Sequence, residues 1–144
     1  MTTVSQVMTR GVRTLSPTDT VLKAAQLMDE LNVGVIPVCD GDKLLGMVTD
    51  RDIVVRGVAQ SLDSSARLSD VMSANVRCAT EGQDVDEVLG AMAKAQIRRM
   101  PVVDGKQKLV GIVSIGDIAA KDKGDQLEVA ASLGGISSPA APER

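Results

Sequence analysis

The stretch Val4-Ser-Gln-Val-Met-Thr-Arg-Gly-Val-Arg13 returns without a gap as Leu68-Ser-Asp-Val-Met-Ser-Ala-Asn-Val-Arg77, an offset of 64 residues. The register persists along the chain, with Val21 falling on Val85, Met28 on Met92, Pro37 on Pro101 and Asp40-Gly41 on Asp104-Gly105. One extra residue near Lys108 moves the offset to 65, after which Gly46-Met-Val-Thr49 meets Gly111-Ile-Val-Ser114 and Asp52 meets Asp117. Self-similarity at one fixed period means two copies of a single supersecondary unit. A unit of roughly 50 residues buries too little surface to be safely stable alone, so the two copies are expected to pack sheet against sheet. The repeats are read as 1–58 and 68–124, with a polar, Ser-rich linker over 59–67 and a C-terminal extension and flexible tail over 125–144.

Each copy carries the same elements. A short turn around Val-Met leads to a short strand, Val12 to Leu15 or Val76 to Ala79. A helix follows, capped by Thr20 in the first copy and by Asp84 with Glu87 three residues on, a capping box, in the second. Apolar residues then recur at i, i+3, i+4 and i+7: Val21, Ala24, Ala25 and Met28, then Val85, Val88, Leu89 and Met92. Two β-rich runs joined across Asp-Gly read as a hairpin, Val33 to Cys39 with Leu44 to Val48, and Arg98 to Val103 with Leu109 to Val113. Second helices are expected from Asp50 to Arg56 and from Ile115 to Lys121. The unit is β-α-β-β-α and the fold class α/β (α+β).

Composition narrows the chemistry. The chain has no Phe, Tyr, Trp or His, so its core is built from aliphatic residues and Met. Without His there is no ready general base near neutral pH and no imidazole ligand for a metal, and without aromatic rings there is no stacking platform for bases. A net charge of −3 also argues against nucleic acid. Met1 to Arg10 lacks the apolar core of a signal peptide, and no apolar run approaches the roughly 18 residues of a membrane span, so a cytoplasmic protein is expected. Cys39 and Cys78, without CxxC spacing, read as small buried hydrophobes rather than a disulfide. With no nucleophile paired to a base, an enzyme is not expected.

The Val-Met turn, the hydrophobic-Pro-Val strand and the Gly-x-x-[Thr/Ser]-x-x-Asp motif before the last helix, each present twice, resemble CBS repeats. The resemblance covers residues 4 to about 122, and Met47-Val-Thr-Asp-Arg-Asp-Ile-Val-Val-Arg-Gly57 is similar to stand-alone two-CBS proteins of the hypoxic-response-protein type. It implies a pseudo-twofold pair of repeats, commonly a homodimer, with an adenine nucleotide (AMP, ADP, ATP or a related adenosyl ligand) in the cleft between repeats. In nucleotide-binding members the motif's Asp takes the ribose hydroxyls and its Thr or Ser contacts phosphate, which maps onto Thr49 with Asp52 and Ser114 with Asp117. The metal sites of some members would need the histidine this chain lacks.

The residue types suit those roles, because a carboxylate can accept from two vicinal hydroxyls while a hydroxyl beside free N–H groups faces an anion. Gly46 and Gly111 would allow close backbone approach. Adenine would lie between aliphatic side chains such as Val12, Ile36, Val76 and Met100, and Arg98 and Arg99 beside Pro101 are the best phosphate partners, with Pro37 the equivalent of Pro101 in the first copy. Thr-x-x-Asp and Ser-x-x-Asp are also ordinary helix caps that need no ligand, and capping can be a simultaneous second task. The reading is therefore a non-catalytic sensor of an adenosyl ligand, with no required cofactor, Mg²⁺ conceivable beside a phosphate, and an unnamed regulated protein as partner. The alternative is a ligand-free CBS scaffold acting through protein contacts.

Overall fold

Thr3 opens the chain's first helical turn, α1 (Val4–Val7), in a reciprocal cap with Gln6. The computed structural model describes residues 1–121, so the end of the second repeat, 122–124, and the extension over 125–144 lie outside the described residues. The two periodic segments become the helices α2 (Val21–Leu31) and α4 (Val85–Ala95). Thr20 caps α2 by accepting from Lys23 N at 3.1 Å, and both helices end on a left-handed residue, Asn32 or Gln96. The capping box expected at Asp84 is only half formed. Asp84 accepts from Asp86 N at 3.0 Å, while the Glu87 carboxylate is drawn to Gln83 Nε2 at 3.1 Å.

Helix α4 buries Val85, Val88, Leu89 and Met92 as its spacing predicts. Helix α2 differs at one position: Ala25 is exposed and Leu27 is buried in its place. Rotating the buried face by this much covers a leucine instead of an alanine, and so removes more apolar area from water.

The hairpins are β1 (Val35–Asp40) with β2 (Lys43–Thr49), and β5 (Arg99–Val103) with β6 (Leu109–Ser114), each antiparallel. In the first, Gly41 supplies the positive φ of a tight Asp-Gly turn. The extra residue of the second copy lengthens its loop, so the left-handed position passes to Gln107 (φ 68°), while Asp104 Oδ1 accepts from the backbone of Lys106 at 2.8 Å and Lys108 at 3.0 Å.

The expected first strands shrink. Only Leu15 bridges, in parallel, to Val38; in the second copy β4 (Ala79–Thr80) pairs in parallel with β5. The opposite edge of each hairpin is closed by residues the repeat pattern assigns to the other copy. Strand β3 (Ser73–Ala74), from the start of the second repeat, pairs with β2, and Thr9, from the start of the first, exchanges two backbone hydrogen bonds with Ile112 at 2.8 and 3.0 Å. The described residues accordingly divide into two compact units, one made of Met1–Val12 with residues 77–121, the other of Arg13–Val76. Val4, Val7 and Met8 are buried in one core with Val88, Leu89 and Ile118, and Leu68 and Val71 in the other with Leu15, Val38 and Val48.

The second helices start where expected but differ in form. In the first copy α3 (Asp50–Asp52) passes into a π-type turn over Ile53–Gly57 and a 3₁₀ turn over Val58–Gln60, whereas α5 (Ile115–Lys121) is α-helical. Arg56, on the π-type turn, donates to the carbonyl of Met72 at 3.1 Å and so ties β3 to its hairpin. No helix among the described residues is long and apolar enough to cross a membrane. Cys39 and Cys78 are free thiols, and burial pushes both up from their ordinary pKa, with the Asp42 charge adding to the effect at Cys39.

Three loop carboxylates are held below their ordinary range by backbone N–H donors: Asp104 by Lys108 and Lys106, Asp19 by Ser16, and Asp63 by Ser65. A depressed folded-state pKa means the folded protein holds the proton less tightly than the unfolded chain, so the stabilisation is present above the unfolded value of roughly 4 and is lost as pH falls through the folded values. Urea midpoints measured from pH 6 to pH 2.5 are expected to be level at first and to fall below about pH 4. Asp104→Asn should flatten part of that fall. An identical acid limb in the variant would remove Asp104 from the account.

Candidate functional site

At the end of β2 the chain turns into α3 through a reciprocal pair: Asp52 N donates to Thr49 Oγ1 at 2.9 Å, and Thr49 N donates to Asp52 Oδ2 at 3.0 Å. The end of β6 repeats the arrangement, with Asp117 N donating to Ser114 Oγ at 3.0 Å and Ser114 N to Asp117 Oδ2 at 3.0 Å. Both motifs are therefore helix caps in fact. The caps do not exhaust the groups that make them. Each hydroxyl is used as an acceptor, which leaves its O–H to donate, and each carboxylate uses Oδ2, which leaves Oδ1. In the first copy Oδ1 of Asp52 lies 3.9 Å from Arg56 Nε.

Strand register decides which neighbours join these corners. Val35 lies directly across from Thr49, and Arg99 directly across from Ser114. Directly opposed residues project on the same face of the sheet, and residues two apart share that face. Val35 and Pro37 thus lie on the face of Thr49, and Arg99 and Pro101 on the face of Ser114. The hairpin entrances are tied to the helix starts by backbone bonds, Asp50 N to the Gly34 carbonyl at 2.9 Å and Ile115 N to the Arg98 carbonyl at 3.0 Å. Arg99 thus shares the face of Ser114, while Arg98 reaches the corner through its backbone carbonyl; both are half-buried, and their equivalents in the other unit are Val35 and Gly34.

Other expected site residues lie elsewhere. Ile36 and Met100 alternate onto the opposite face and are core residues of their own units, 1% and 2% exposed. Neither offers an open surface to a ring, because burying them against the helices contributes more than leaving them at a sheet surface. Gly46 and Gly111 are also explained without a ligand: a Cβ on Gly46 would strike the Ser73 carbonyl, and one on Gly111 would come within 2.6 Å of the Thr9 carbonyl. Val12 and Val76 are half-buried and divide opposite to the repeats, Val12 in the unit of Ser114 and Asp117, Val76 in that of Thr49 and Asp52. Val35 is the residue that motif reading missed. The strict alternation of β1 counted back from Thr49's partner would have found it.

The CBS domain family model matches residues 4–57 and 68–124. The CBS domain-containing protein YhcV of Bacillus subtilis is 41% identical over 126 residues, spanning 88% of this chain and 89% of that protein. Hypoxic response protein 1 of Mycobacterium tuberculosis is 39% identical over 121 residues, 83% of this chain and 84% of the relative. A crystal structure of Hypoxic Response Protein I with two coordinated zinc ions superposes with a TM-score of 0.76 at 38% identity, over 83% of this chain and 98% of that one. The residues here do not fit such a metal, since the chain has no His and, among the described residues, no three His, Cys, Asp or Glu side chains are grouped to hold one. The CBS domain pair of protein MJ0100, in complex with 5′-methylthioadenosine and S-adenosyl-L-methionine, matches with a TM-score of 0.74 at 30% identity, over 83% of this chain and 94% of that one. Two family matches spanning most of the sequence, laid on two hairpin-and-helix units that end in the same capped corner, establish that this chain belongs to the CBS domain family and carries a tandem pair.

Proposed function

We propose that this protein is a non-catalytic sensor in which the Thr49–Asp52 and Ser114–Asp117 corners receive an adenosyl ligand, AMP, ADP, ATP or a relative, and that occupancy alters the surface offered to a regulated partner. The observation that carries the reading is the duplicated corner itself. Each of the two units presents one free hydroxyl donor and one carboxylate oxygen beyond those used in the cap, the pair of functions that a phosphate and a ribose diol require. The adenosyl ligands of MJ0100, whose CBS pair is 30% identical, support the same ligand class. The ring would rest against Val35 at the first corner, the half-buried apolar side chain on the face of Thr49, while Pro37 and Pro101 are buried on the same faces. Mg²⁺ would enter only with a polyphosphate. The protein would act in the cytoplasm, in keeping with two free cysteines. It would work as a homodimer, for which the exposed Val54, Val55 and Val58 supply apolar surface.

The test is isothermal titration with AMP, ATP, NAD and S-adenosylmethionine. Saturable binding is expected for at least one of them. Hydrogen bonds to a charged group contribute roughly 1.5–3 kcal/mol, so Asp117→Ala should weaken binding at its corner at least about tenfold. Unchanged affinity in a folded Asp117→Ala protein would remove the ribose role. The second reading, a CBS scaffold working only through protein contacts, is favoured by the fact that both caps are complete without a ligand. No heat with any of the four adenosyl compounds would put it ahead.

A further inference from the structure

The two corners share one backbone geometry and differ in charge. At the first, Asp50 and Asp52 outnumber Arg51 among the helix-start residues, Val35 lies directly opposite Thr49, and the preceding Gly34 accepts from Asp50 N through its carbonyl. At the second, the helix start is Ile115-Gly116-Asp117, Arg99 lies directly opposite Ser114, and the preceding Arg98 accepts from Ile115 N through its carbonyl. The formal charge of these residues is −1 at the first corner and +1 at the second. The contrast is carried by register as well as by composition, because Arg99 is the residue directly opposite Ser114, as Val35 is directly opposite Thr49.

We infer that the corners sort adenosyl ligands by charge: the Ser114–Asp117 corner takes the form with a phosphate on the 5′ carbon, and the Thr49–Asp52 corner takes a form without one. The inference rests on the sensor reading above. Arg99, directly opposite Ser114 on the same face, would give a phosphate a planar pair of charge-assisted donors in addition to the Ser114 O–H. At the other corner the matching position is a valine, which favours an apolar 5′ substituent, and the Asp50 carboxylate next to Thr49 repels an anion. The same two motifs therefore bind two ligand classes from one scaffold, and a single chain can compare their concentrations.

AMP and 5′-methylthioadenosine are the probes, titrated separately at low and moderate salt into the full chain and into Arg99→Gln, Arg99→Lys and Asp52→Ala. In the unaltered protein AMP affinity should fall with added salt, and 5′-methylthioadenosine affinity should not. Arg99→Gln is expected to lower the ratio of AMP to 5′-methylthioadenosine affinity at least about tenfold. Arg99→Lys, which keeps the charge and loses the fork, should lower it less, and Asp52→Ala should raise it. An unchanged ratio in Arg99→Gln and Arg99→Lys, or a loss of AMP binding that follows Asp52→Ala alone, would overturn the sorting while leaving the sensor intact. Absence of binding by either probe to the unaltered protein would overturn both.

Discussion

Truncation of Leu68 to alanine is expected to destabilise the protein by about 3 kcal/mol and to lower its thermal midpoint by roughly 10 °C. Leu68 is fully buried, and the atoms removed leave a cavity in a core that contains Leu15, Val21, Ile36 and Val48. The informative part is where the loss is felt. By sequence Leu68 opens the second repeat, and by packing it belongs to the unit that holds the first repeat's hairpin. Native-state hydrogen exchange should therefore show lost protection at the β1 and β2 amides, with β5 and β6 much less affected. Loss confined to β5 and β6 would mean that the segment from Leu68 to Val76 packs with its own repeat.

Gly46→Ala should be of similar size, about 2–3 kcal/mol, for a different reason. The added Cβ meets the carbonyl of Ser73 and comes within 2.7 Å of Met72 Cε. The methionine end can swing away, whereas the carbonyl belongs to β3 and can yield only by lifting that strand from β2. Gly111→Ala is the matched case, since its Cβ falls 2.6 Å from the Thr9 carbonyl and would break the paired Thr9–Ile112 bonds. Gly90 lies within α4 with nothing close to its Cβ position, so Gly90→Ala should stabilise by about 0.5–1 kcal/mol through helix propensity and serves as the internal control. The three variants separate in one urea titration. A Gly46→Ala protein as stable as the parent would show that the β2 edge is not held by β3.

Ligand binding can draw on the same edge. Arg56 lies 3.9 Å from the carboxylate of Asp52 and donates to the carbonyls of Val71 and Met72. A change at Asp52 is thus two contacts from the strand that closes the sheet.

Much of this was legible in the residues. The repeat, the helix and hairpin order, and the Thr49, Asp52, Ser114 and Asp117 corners all follow from local spacing, because capping and strand alternation act over three or four residues. Ile36 and Met100 are expected at the site as aliphatic side chains flanking adenine. Register puts them on the opposite face, a distinction that depends on counting from a paired residue and not from a motif. The i, i+3, i+4 periodicity points to Ala25, whereas the helix buries Leu27, which covers more area. The roles of Gly46 and Gly111 could not be read at all, since what crowds them is a backbone carbonyl more than 25 positions away in one case and about 100 in the other.

Propensity, periodicity and capping act within one stretch of chain, and they dictate the two copies, the elements of each and the polar residues at the turn from hairpin to helix. The exchange of opening segments between copies, the facing of Val35 and Arg99 to the two corners, and the need for two glycines beside neighbouring backbone emerge from long-range packing. The reason is that a sheet edge is satisfied by whichever segment can reach it with the right hydrogen bonds, and residues distant in sequence compete for that position on equal terms.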